Sequence, residues 1–311
     1  KLSRADDMSP AQKASVAVSK FGKLGDAIVI TPSKTCAEMV DLLPDDLFKH
    51  LGETRGKLLD IAGTAGEYAV ALCNKMRALG IDNEVIANSI YTIPKSPICF
   101  ELVRKLYEML GLNTQNIAKE FVATDLLEIK DGNNIDYDKI TALLTQNKSF
   151  ATVKLTDTPK QQGESNMIKF DAVVGNPPYQ EGIENTSDSP VYHLFLETAF
   201  KISSIVSMIT PARFLFNAGK TPKSWNEKVL NDDHFKVVLY SPKSTDFFPN
   251  VDIKGGVAVT LRDSSQNFGK LGIFLQYQEL NTILTKVRNL NECSLSNQVY
   301  SPESYKFSDV L

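Results

Sequence analysis

Short apolar runs alternate with amphipathic stretches over most of this 311-residue chain. The runs have the length of buried strands, and the stretches between them repeat their apolar residues with a helical period. Such alternation favours the α/β class, with a mostly parallel sheet covered by helices on both faces. The last two runs are joined by a loop alone, which predicts an antiparallel strand near the end. Seven runs predict seven strands, at 57–62, 84–93, 121–127, 170–175, 204–210, 235–240 and 255–261.

Composition narrows the class of protein. With 42% hydrophobic and 23% charged residues, the chain has the make-up of a soluble globular protein. A net charge of −3 argues against a wholly basic nucleic-acid binder, although a local groove can be basic within an acidic whole. No apolar run has the length of a membrane span, and no signal peptide precedes the helix predicted over 9–21. The expected location is the cytoplasm.

Metal and disulfide chemistry are not expected. The four cysteines form no Cys-x-x-Cys pair, and the chain has only three histidines. Neither a structural zinc site nor a disulfide framework fits this pattern. Single buried thiols in a reducing compartment fit better, so we predict no metal site.

The sequence Asn176-Pro177-Pro178-Tyr179 follows the predicted strand 170–175 directly. Open α/β sheets bind ligands at the carboxyl ends of their strands. Two prolines fix the backbone, which would hold the Asn176 carboxamide and the Pro177 carbonyl rigidly. The ring of Tyr179 offers a flat face on which an extruded base can stack. The alternative is an ordinary proline-rich turn.

Two rigid acceptors suit the methylation of an exocyclic amine. The lone pair of such a nitrogen is delocalised into the ring, so the amine is a poor nucleophile. If the Asn176 carboxamide and the Pro177 carbonyl each accept one N–H, the nitrogen becomes pyramidal and its lone pair can face a methyl donor. Catalysis would then consist of alignment and stabilisation of developing positive charge.

At this point the sequence resembles the amino-methylating S-adenosylmethionine-dependent methyltransferases, which carry Asn, Asp or Ser, then Pro-Pro and an aromatic residue, after the same strand. The resemblance implies a Rossmann-like methyltransferase fold, with Asn176, Pro177, Pro178 and Tyr179 as the catalytic residues. Asn combined with Tyr implies adenine in DNA, or glutamine in a protein such as a release factor, as the target.

Other segments match this family in order. Residues 30–44 resemble the segment that precedes the cofactor motif, where Thr31 and Pro32 would help to hold the methionine part of the cofactor. Residues 58–68 resemble the cofactor motif itself. The resemblance implies that Asp60, Ala62 and Gly66 bind S-adenosylmethionine there, and that Asp125 contacts the adenine of the cofactor. Asp125 could instead cap a turn. The order of the motifs further predicts that Asp60, Asp125 and Asn176 lie at one edge of the sheet, where its strands end.

Downstream segments look like the methylase part of fused type II restriction–modification enzymes, and the resemblance covers about residues 21–262. It implies that Phe248 forms a wall of the target-base pocket with Tyr179, although Phe248 could equally be plain core. The matching positions are Arg213, Phe214, Gly219, Lys220, Phe248, Pro249, Asp252, Gly255 and Gly256.

The resemblance also divides the chain. Residues 1–262 are expected to form the catalytic domain, with a helical segment over 1–50 that carries Thr31 and Pro32. Residues 263–311 would be a linker or the start of a C-terminal target-recognition region. The implied partners are double-stranded DNA and a recognition or restriction domain or subunit outside this chain, with no membrane.

Two departures from the family pattern concern the cofactor. Thr64 replaces the first glycine of the family's Gly-x-Gly, and a β-branched residue there could crowd the methionine. The strand predicted over 84–93 runs on into Pro94 and Lys95, without the acidic residue that usually binds the ribose hydroxyls. Two alternatives to an adenine methylase stay open. One is a protein-glutamine methyltransferase, and the other is a catalytically weakened DNA-binding or assembly module.

Overall fold

The computed structural model describes Lys13 and residues 29–146, 148–157, 169–180, 189–248, 251–277, 279–289 and 295–300. The helix predicted over 9–21, Pro249 and Cys293 lie outside these residues. The chain divides into two compact units, Lys1–Gly272 and Ile273–Leu311. All six strands of the main sheet and every predicted site residue belong to the first unit.

The first unit contains eight described strands and eight described α-helices, and the second contains one helix. The strands are β1 (Leu58–Gly63), β2 (Ile90–Pro94), β3 (Lys130–Asp131), β4 (Asn134–Ile135), β5 (Phe170–Gly175), β6 (Ser203–Pro211), β7 (Phe235–Ser241) and β8 (Val257–Asp263). The helices are α1 (Ser33–Asp41), α2 (Asp45–Thr54), α3 (Glu67–Ala78), α4 (Asn83–Ser89), α5 (Pro97–Leu110), α6 (Tyr137–Leu144), α7 (Tyr192–Ile202), α8 (Lys223–Leu230) and α9 (Glu279–Arg288).

The main sheet has the order β2-β1-β5-β6-β8-β7. β8 runs antiparallel to both of its neighbours, and the other strands are parallel to one another. The connections β1–α3–β2 and β5–α7–β6 step in opposite directions from the centre of the sheet. Right-handed crossovers then place α3 and α7 on opposite faces. The predicted α/β fold, with one reversed strand near 255–261, is confirmed.

The prediction of a seventh strand over 121–127 is wrong, because the described residues of the main sheet form six strands. Ala123–Glu128 is a 3-10 turn instead. The Asp125 carboxylate accepts a hydrogen bond from the Val122 amide at 2.9 Å, so a side chain takes the donor that a neighbouring strand would otherwise bind. Among the described residues, one parallel bridge, between Thr92 and Ile117, extends the sheet beyond β2.

The prediction of a strand over 84–93 is correct only for its second part. Its first part forms α4, and only Ile90–Pro94 is strand. Asp82 accepts a hydrogen bond from the Glu84 amide at 2.7 Å and so caps the helix. The apolar residues of this segment therefore belong to two elements, although their spacing resembled one strand.

The core of the first unit surrounds β1 and β5. All six residues of β1 are buried, and Met39 of α1 and Leu72 of α3 have no exposed surface. The three described cysteines are free and buried, as predicted. Among the described residues, no helix is both long and apolar enough to cross a membrane.

Candidate active site

β1 and β5 lie side by side where the strand order reverses, which is the usual ligand-binding position in open α/β sheets. Asp60 of β1 pairs in register with Val174 of β5. A Cβ placed on Gly175 would lie 3.5 Å from Asp60 Oδ1. Asn176 follows Gly175 directly, so Asp60 and Asn176 meet at the same edge of the sheet, as the sequence predicted.

The loop from β1 to α3 keeps the second glycine of the family motif as Gly66, and its other glycine, Gly63, lies one position before Thr64. A Cβ on Gly63 would overlap Thr92 and lie 2.8 Å from Asp60 Oδ2. Gly66 has φ +83°, and a Cβ there would overlap Leu106. Glycine at both positions therefore lets the loop backbone lie close to Thr92 and Leu106. Thr64, between the two glycines, is fully buried, and its hydroxyl has no partner among the described residues.

Glu67 is a site residue that the sequence reasoning missed. Its Oε1 accepts from the Thr31 amide at 3.3 Å, and its Oε2 accepts from the Ala65 amide at 2.8 Å. This buried carboxylate thus joins the Thr31-Pro32 segment to the loop between β1 and α3. An acidic residue in the first turn of a helix, directly after the glycine motif, was the available signal.

Burial and neighbouring charges shift the pKa values of three groups around this loop, Asp60, Glu67 and Lys95. Burial raises the pKa of Asp60 well above its usual value, and the neighbouring Glu67 carboxylate raises it further. Burial also raises the pKa of Glu67, against the lowering effect of its backbone hydrogen bonds. Burial lowers the pKa of Lys95, whereas Glu67 and other neighbours raise it. The Lys95 amide donates to the Gly63 carbonyl at 2.9 Å, which ties the end of β2 to the loop.

Thr31 fixes the carboxamide of Asn176. Asn176 Nδ2 donates a hydrogen bond to Thr31 Oγ1 at 3.2 Å, and both residues are buried. Asn176 Oδ1 has no partner among the described residues. Since an unpaired buried acceptor is costly, this oxygen is ready to accept a hydrogen bond from a ligand. Pro177 and Pro178 are also buried, which leaves the carboxamide little freedom.

Tyr179 lies at the mouth of the site. Its hydroxyl is enclosed without a partner among the described residues, and burial raises its pKa. The Tyr179 carbonyl accepts from the Val191 amide at 3.1 Å, and Gln180 forms a bridge with Pro190. A cavity of about 500 Å³ opens beside Tyr179. It is lined by Tyr179, Gln180, Pro190, Tyr192, Pro211, Arg213, Gly219, Lys220, Asp252, Ile253 and Lys254.

Of the remaining predicted residues, Ala62 and Pro32 contact the segments that form the site, whereas Asp125 lies in a turn and Phe248 lies in the core. The Ala62 amide donates to Asp60 Oδ1 at 3.3 Å, and the Pro32 carbonyl accepts from the Cys36 amide at 3.0 Å at the start of α1. Asp125 is half-buried in its 3-10 turn, where it bonds to a backbone amide. Phe248 is only 1% exposed and packs within the hydrophobic core, and it does not line the cavity beside Tyr179.

The strand order, with one reversed strand next to the edge, is that of the S-adenosylmethionine-dependent methyltransferase fold. The Asn-Pro-Pro-Tyr sequence after β5 occupies the expected end of the sheet. Residues 88–248, just over half of the chain, match the family model of the Eco57I restriction-modification methylase. The chain belongs to this family.

Individual relatives are more distant. The chain is 28% identical over 96 residues to a Mycoplasma pneumoniae protein named as an uncharacterized adenine-specific methylase, and the match covers 29% of this chain and 23% of that protein. The type I restriction-modification methyltransferase subunit from Streptococcus thermophilus shares the fold, with a TM-score of 0.50 and 14% identity over 93% of this chain and 59% of that one. A putative class I S-adenosylmethionine-dependent methyltransferase from Listeria monocytogenes has a TM-score of 0.47 and 10% identity, over 92% of this chain and 81% of that one.

Proposed function

We propose that this chain transfers a methyl group from S-adenosylmethionine to the exocyclic amino group of adenine in DNA, within a restriction–modification system. Membership of a restriction-modification methylase family supports the reaction class. The observation that carries methylation of an amino group is the state of Asn176, and the choice of adenine in DNA rests on the restriction-modification family. Asn176 Nδ2 is held by Thr31 Oγ1 at 3.2 Å, while Asn176 Oδ1 is buried without a partner among the described residues.

The free oxygen of Asn176 accepts one N–H of the target amine, and the Pro177 carbonyl accepts the other. As the amine attacks, its nitrogen gains positive charge, and its N–H groups become stronger donors. Fixed acceptors therefore bind the transition state more tightly than the ground state, which is the requirement for catalysis. Thr31 contributes by preventing the carboxamide from rotating its nitrogen toward the amine.

The residues around the β1–α3 loop fit S-adenosylmethionine, which supplies an electrophilic methyl group on a sulfonium. Asp60 Oδ2 is a buried polar atom without a partner among the described residues. Burial and the neighbouring Glu67 carboxylate raise the pKa of Asp60, and a ligand with cationic groups would counter this effect. These residues and Thr31 would hold the methionine end, with Ala62 and Gly66 shaping the loop. Asp125 would contact the adenine of the cofactor.

Tyr179 provides the platform for the target base. Tyr179 lines a cavity of about 500 Å³, and it follows Asn176 by three positions in the chain. An adenine inside a duplex cannot reach Asn176, so duplex DNA must present it as an extruded base. The recognition of a DNA sequence would come from a region or subunit beyond the catalytic unit.

One experiment separates this function from its rivals. The protein is incubated with radiolabelled S-adenosylmethionine and either unmethylated genomic DNA or a release factor, with Asn176→Ala as the inactive control. We expect label in DNA, recovered as methylated adenine, for the wild type alone. Label in the release factor would instead identify a protein-glutamine methyltransferase.

Absence of label in both substrates, combined with retained DNA binding, would identify a DNA-binding or assembly module. Two departures from the family pattern favour the DNA-binding or assembly module. Thr64 stands where the family has a glycine, and the end of β2 carries no acidic residue.

A further inference from the structure

The cavity beside Tyr179 carries a local excess of positive charge. Arg213, Lys220 and Lys254 line it together with a single acidic residue, Asp252. The whole chain has a net charge of −3, so three cations against one anion in one cavity run opposite to the protein as a whole. We call these four residues and the space between them the cationic cavity. Its charge suits an anionic ligand.

Two glycine turns enclose the side chain of Arg213. Gly255 has φ +89°, and a Cβ there would overlap Arg213 Cγ. Gly219 has φ +94°, and a Cβ there would lie 3.4 Å from Arg213 Cβ and 3.6 Å from its Nε. The turns come from different segments, one after the 3-10 turn Arg213–Phe216 and one before β8. Glycine at both positions therefore makes room for this arginine.

Arg213 itself is exposed, although its aliphatic carbons lie against the two glycine turns. No ion pair joins it to a carboxylate in the part of the chain that the structure describes. Asp252 lines the same cavity without bridging to it. The side chain of Arg213 is therefore restrained, and its guanidinium is not in an ion pair. Such a guanidinium can form two parallel hydrogen bonds to one anion, and in nucleic acids that anion is a phosphate.

We infer that Arg213 binds the DNA backbone phosphate next to the target adenine, with Lys220 and Lys254 neutralising the phosphates that flank it. This inference rests on the proposed function. Tyr179 lines the same cavity, so a nucleotide whose base stacks on Tyr179 brings its own phosphate into the cationic cavity. Arg213 is thus a positioning residue, because it holds the nucleotide while Asn176 contacts the amine.

The test uses a fluorescent single-stranded DNA oligonucleotide with one adenine, which needs neither base extrusion nor sequence recognition. A second oligonucleotide carries uncharged methylphosphonate linkages on both sides of that adenine. Binding is measured by anisotropy for the wild type and Arg213→Ala. We expect the neutral linkages to weaken wild-type binding about tenfold or more, as for a lost charge-assisted contact. They should weaken binding of Arg213→Ala less than binding of the wild type, because only the contacts of Lys220 and Lys254 remain to be lost.

Salt dependence gives a readout that a purely structural role would not change. Each phosphate contact on a single strand contributes about 0.7 to the slope of log affinity against log salt. The slope should therefore be smaller by about 0.7 for Arg213→Ala with the charged oligonucleotide. Arg104→Ala removes the same charge from the surface of α5, outside the cavity, and should leave the slope unchanged.

A matched pair of glycine variants tests the enclosing turns. Gly255→Ala and Gly269→Ala both place alanine at positive φ, +89° and +77°, but only at Gly255 would the new Cβ meet Arg213. Gly255→Ala should reproduce the binding loss of Arg213→Ala, and Gly269→Ala should not. Combining Gly255→Ala with Arg213→Ala should add no further loss, since both act through the same side chain.

The outcomes separate this inference from the function beneath it. If the wild type methylates adenine in DNA, yet Arg213→Ala shows the wild-type salt slope and methylphosphonate effect, the inference is overturned and the function stands. If the wild type transfers no methyl group to DNA, the proposed function fails, and the inference fails with it.

Discussion

At the scale of single residues, the site depends on which polar atoms are satisfied by the protein and which are left over. Thr31 takes the nitrogen of the Asn176 carboxamide and leaves its oxygen free. Glu67 takes the backbone amides of Thr31 and Ala65. The two arrangements link the target side of the site to the cofactor side through Thr31.

Asn176→Ala removes one of the two acceptors for the target amine. We expect the methylation rate to fall by about two orders of magnitude or more, the scale of losing one group that stabilises developing charge. Cofactor affinity should change less than the rate, because the contact strengthens mainly in the transition state. Radiolabel transfer and calorimetry measure the two effects.

Thr31→Val is the companion variant, because it keeps the shape and removes the hydroxyl that holds Asn176 Nδ2. Its rate should lie between those of the wild type and Asn176→Ala. A wild-type rate for Asn176→Ala would refute the proposed mechanism.

Asp60→Asn tests the buried acid pair through pH. Burial raises the pKa of Asp60 in the folded state. Its contribution to stability is therefore complete below the pKa of the unfolded chain, and it is lost as pH rises through the folded pKa. The cofactor-free variant should melt above the wild type at about pH 8, by roughly 2–4 °C per kcal/mol, and near it at about pH 4. Cofactor binding should be lost.

Asp45→Asn provides the control for that experiment. Asp45 is exposed, and its hydrogen bond with Lys75 lowers its pKa, so its contribution to stability is present at neutral pH and is lost on acidification. This variant should melt slightly below the wild type at neutral pH, which is the opposite sign. A lower melting temperature for Asp60→Asn at every pH would show that the buried carboxylate stabilises the fold.

At the scale of elements, the segment after β2 shows how one side chain can change a strand into a turn. The apolar run 121–127 has the composition of a strand, yet Asp125 bonds to the Val122 amide and the segment forms a 3-10 turn. The sheet consequently ends at β2, apart from the bridge between Thr92 and Ile117.

Two substitutions at Asp125 separate its structural role from a cofactor contact. Asp125→Ala should destabilise the protein by roughly 1 kcal/mol, the usual cost of losing a cap. Asp125→Asn keeps an acceptor for the Val122 amide and should leave stability nearly unchanged. If Asp125 contacts the cofactor, both variants should weaken S-adenosylmethionine binding in calorimetry. Unchanged affinity in Asp125→Asn would leave only the capping role.

At the scale of the whole molecule, the candidate site is assembled from segments far apart in the chain. Thr31 precedes α1, Asp60 lies in β1, Lys95 follows β2 and Asn176 follows β5. The sheet brings these segments to one edge, and each must be in place before the site is complete. Affinity for the cofactor therefore reports on the assembled fold as well as on individual contacts.

We expect the wild type to bind S-adenosylmethionine weakly. The acid that usually contacts the ribose is absent after β2, and a lost charge-assisted hydrogen bond lowers affinity about tenfold or more. Thr64→Gly should tighten binding, because the buried Thr64 hydroxyl has no partner to lose among the described residues. Thr64→Ser, which removes only the methyl, should recover part of this gain. Sub-micromolar affinity of the wild type in calorimetry would contradict this expectation.

The sequence by itself determined the order of most elements and the segments that meet at the site. Buried runs such as 170–175 specify strands because each is short, apolar and bounded by turn residues. Pro97 marks the start of α5, since proline favours the first helical turn. Motif order then indicated that Asp60 and Asn176 share one edge.

Only the tertiary structure decided which polar atoms are paired. The bond between Thr31 and Asn176 joins residues 145 positions apart, and no local pattern specifies it. The same applies to Glu67, whose carboxylate bonds across 36 positions to Thr31. It applies also to Gly255, whose missing side chain makes room for Arg213. Hydrophobic periodicity reports which face of an element is buried, but hydrogen-bond partners and close approaches depend on where the packed elements finally lie.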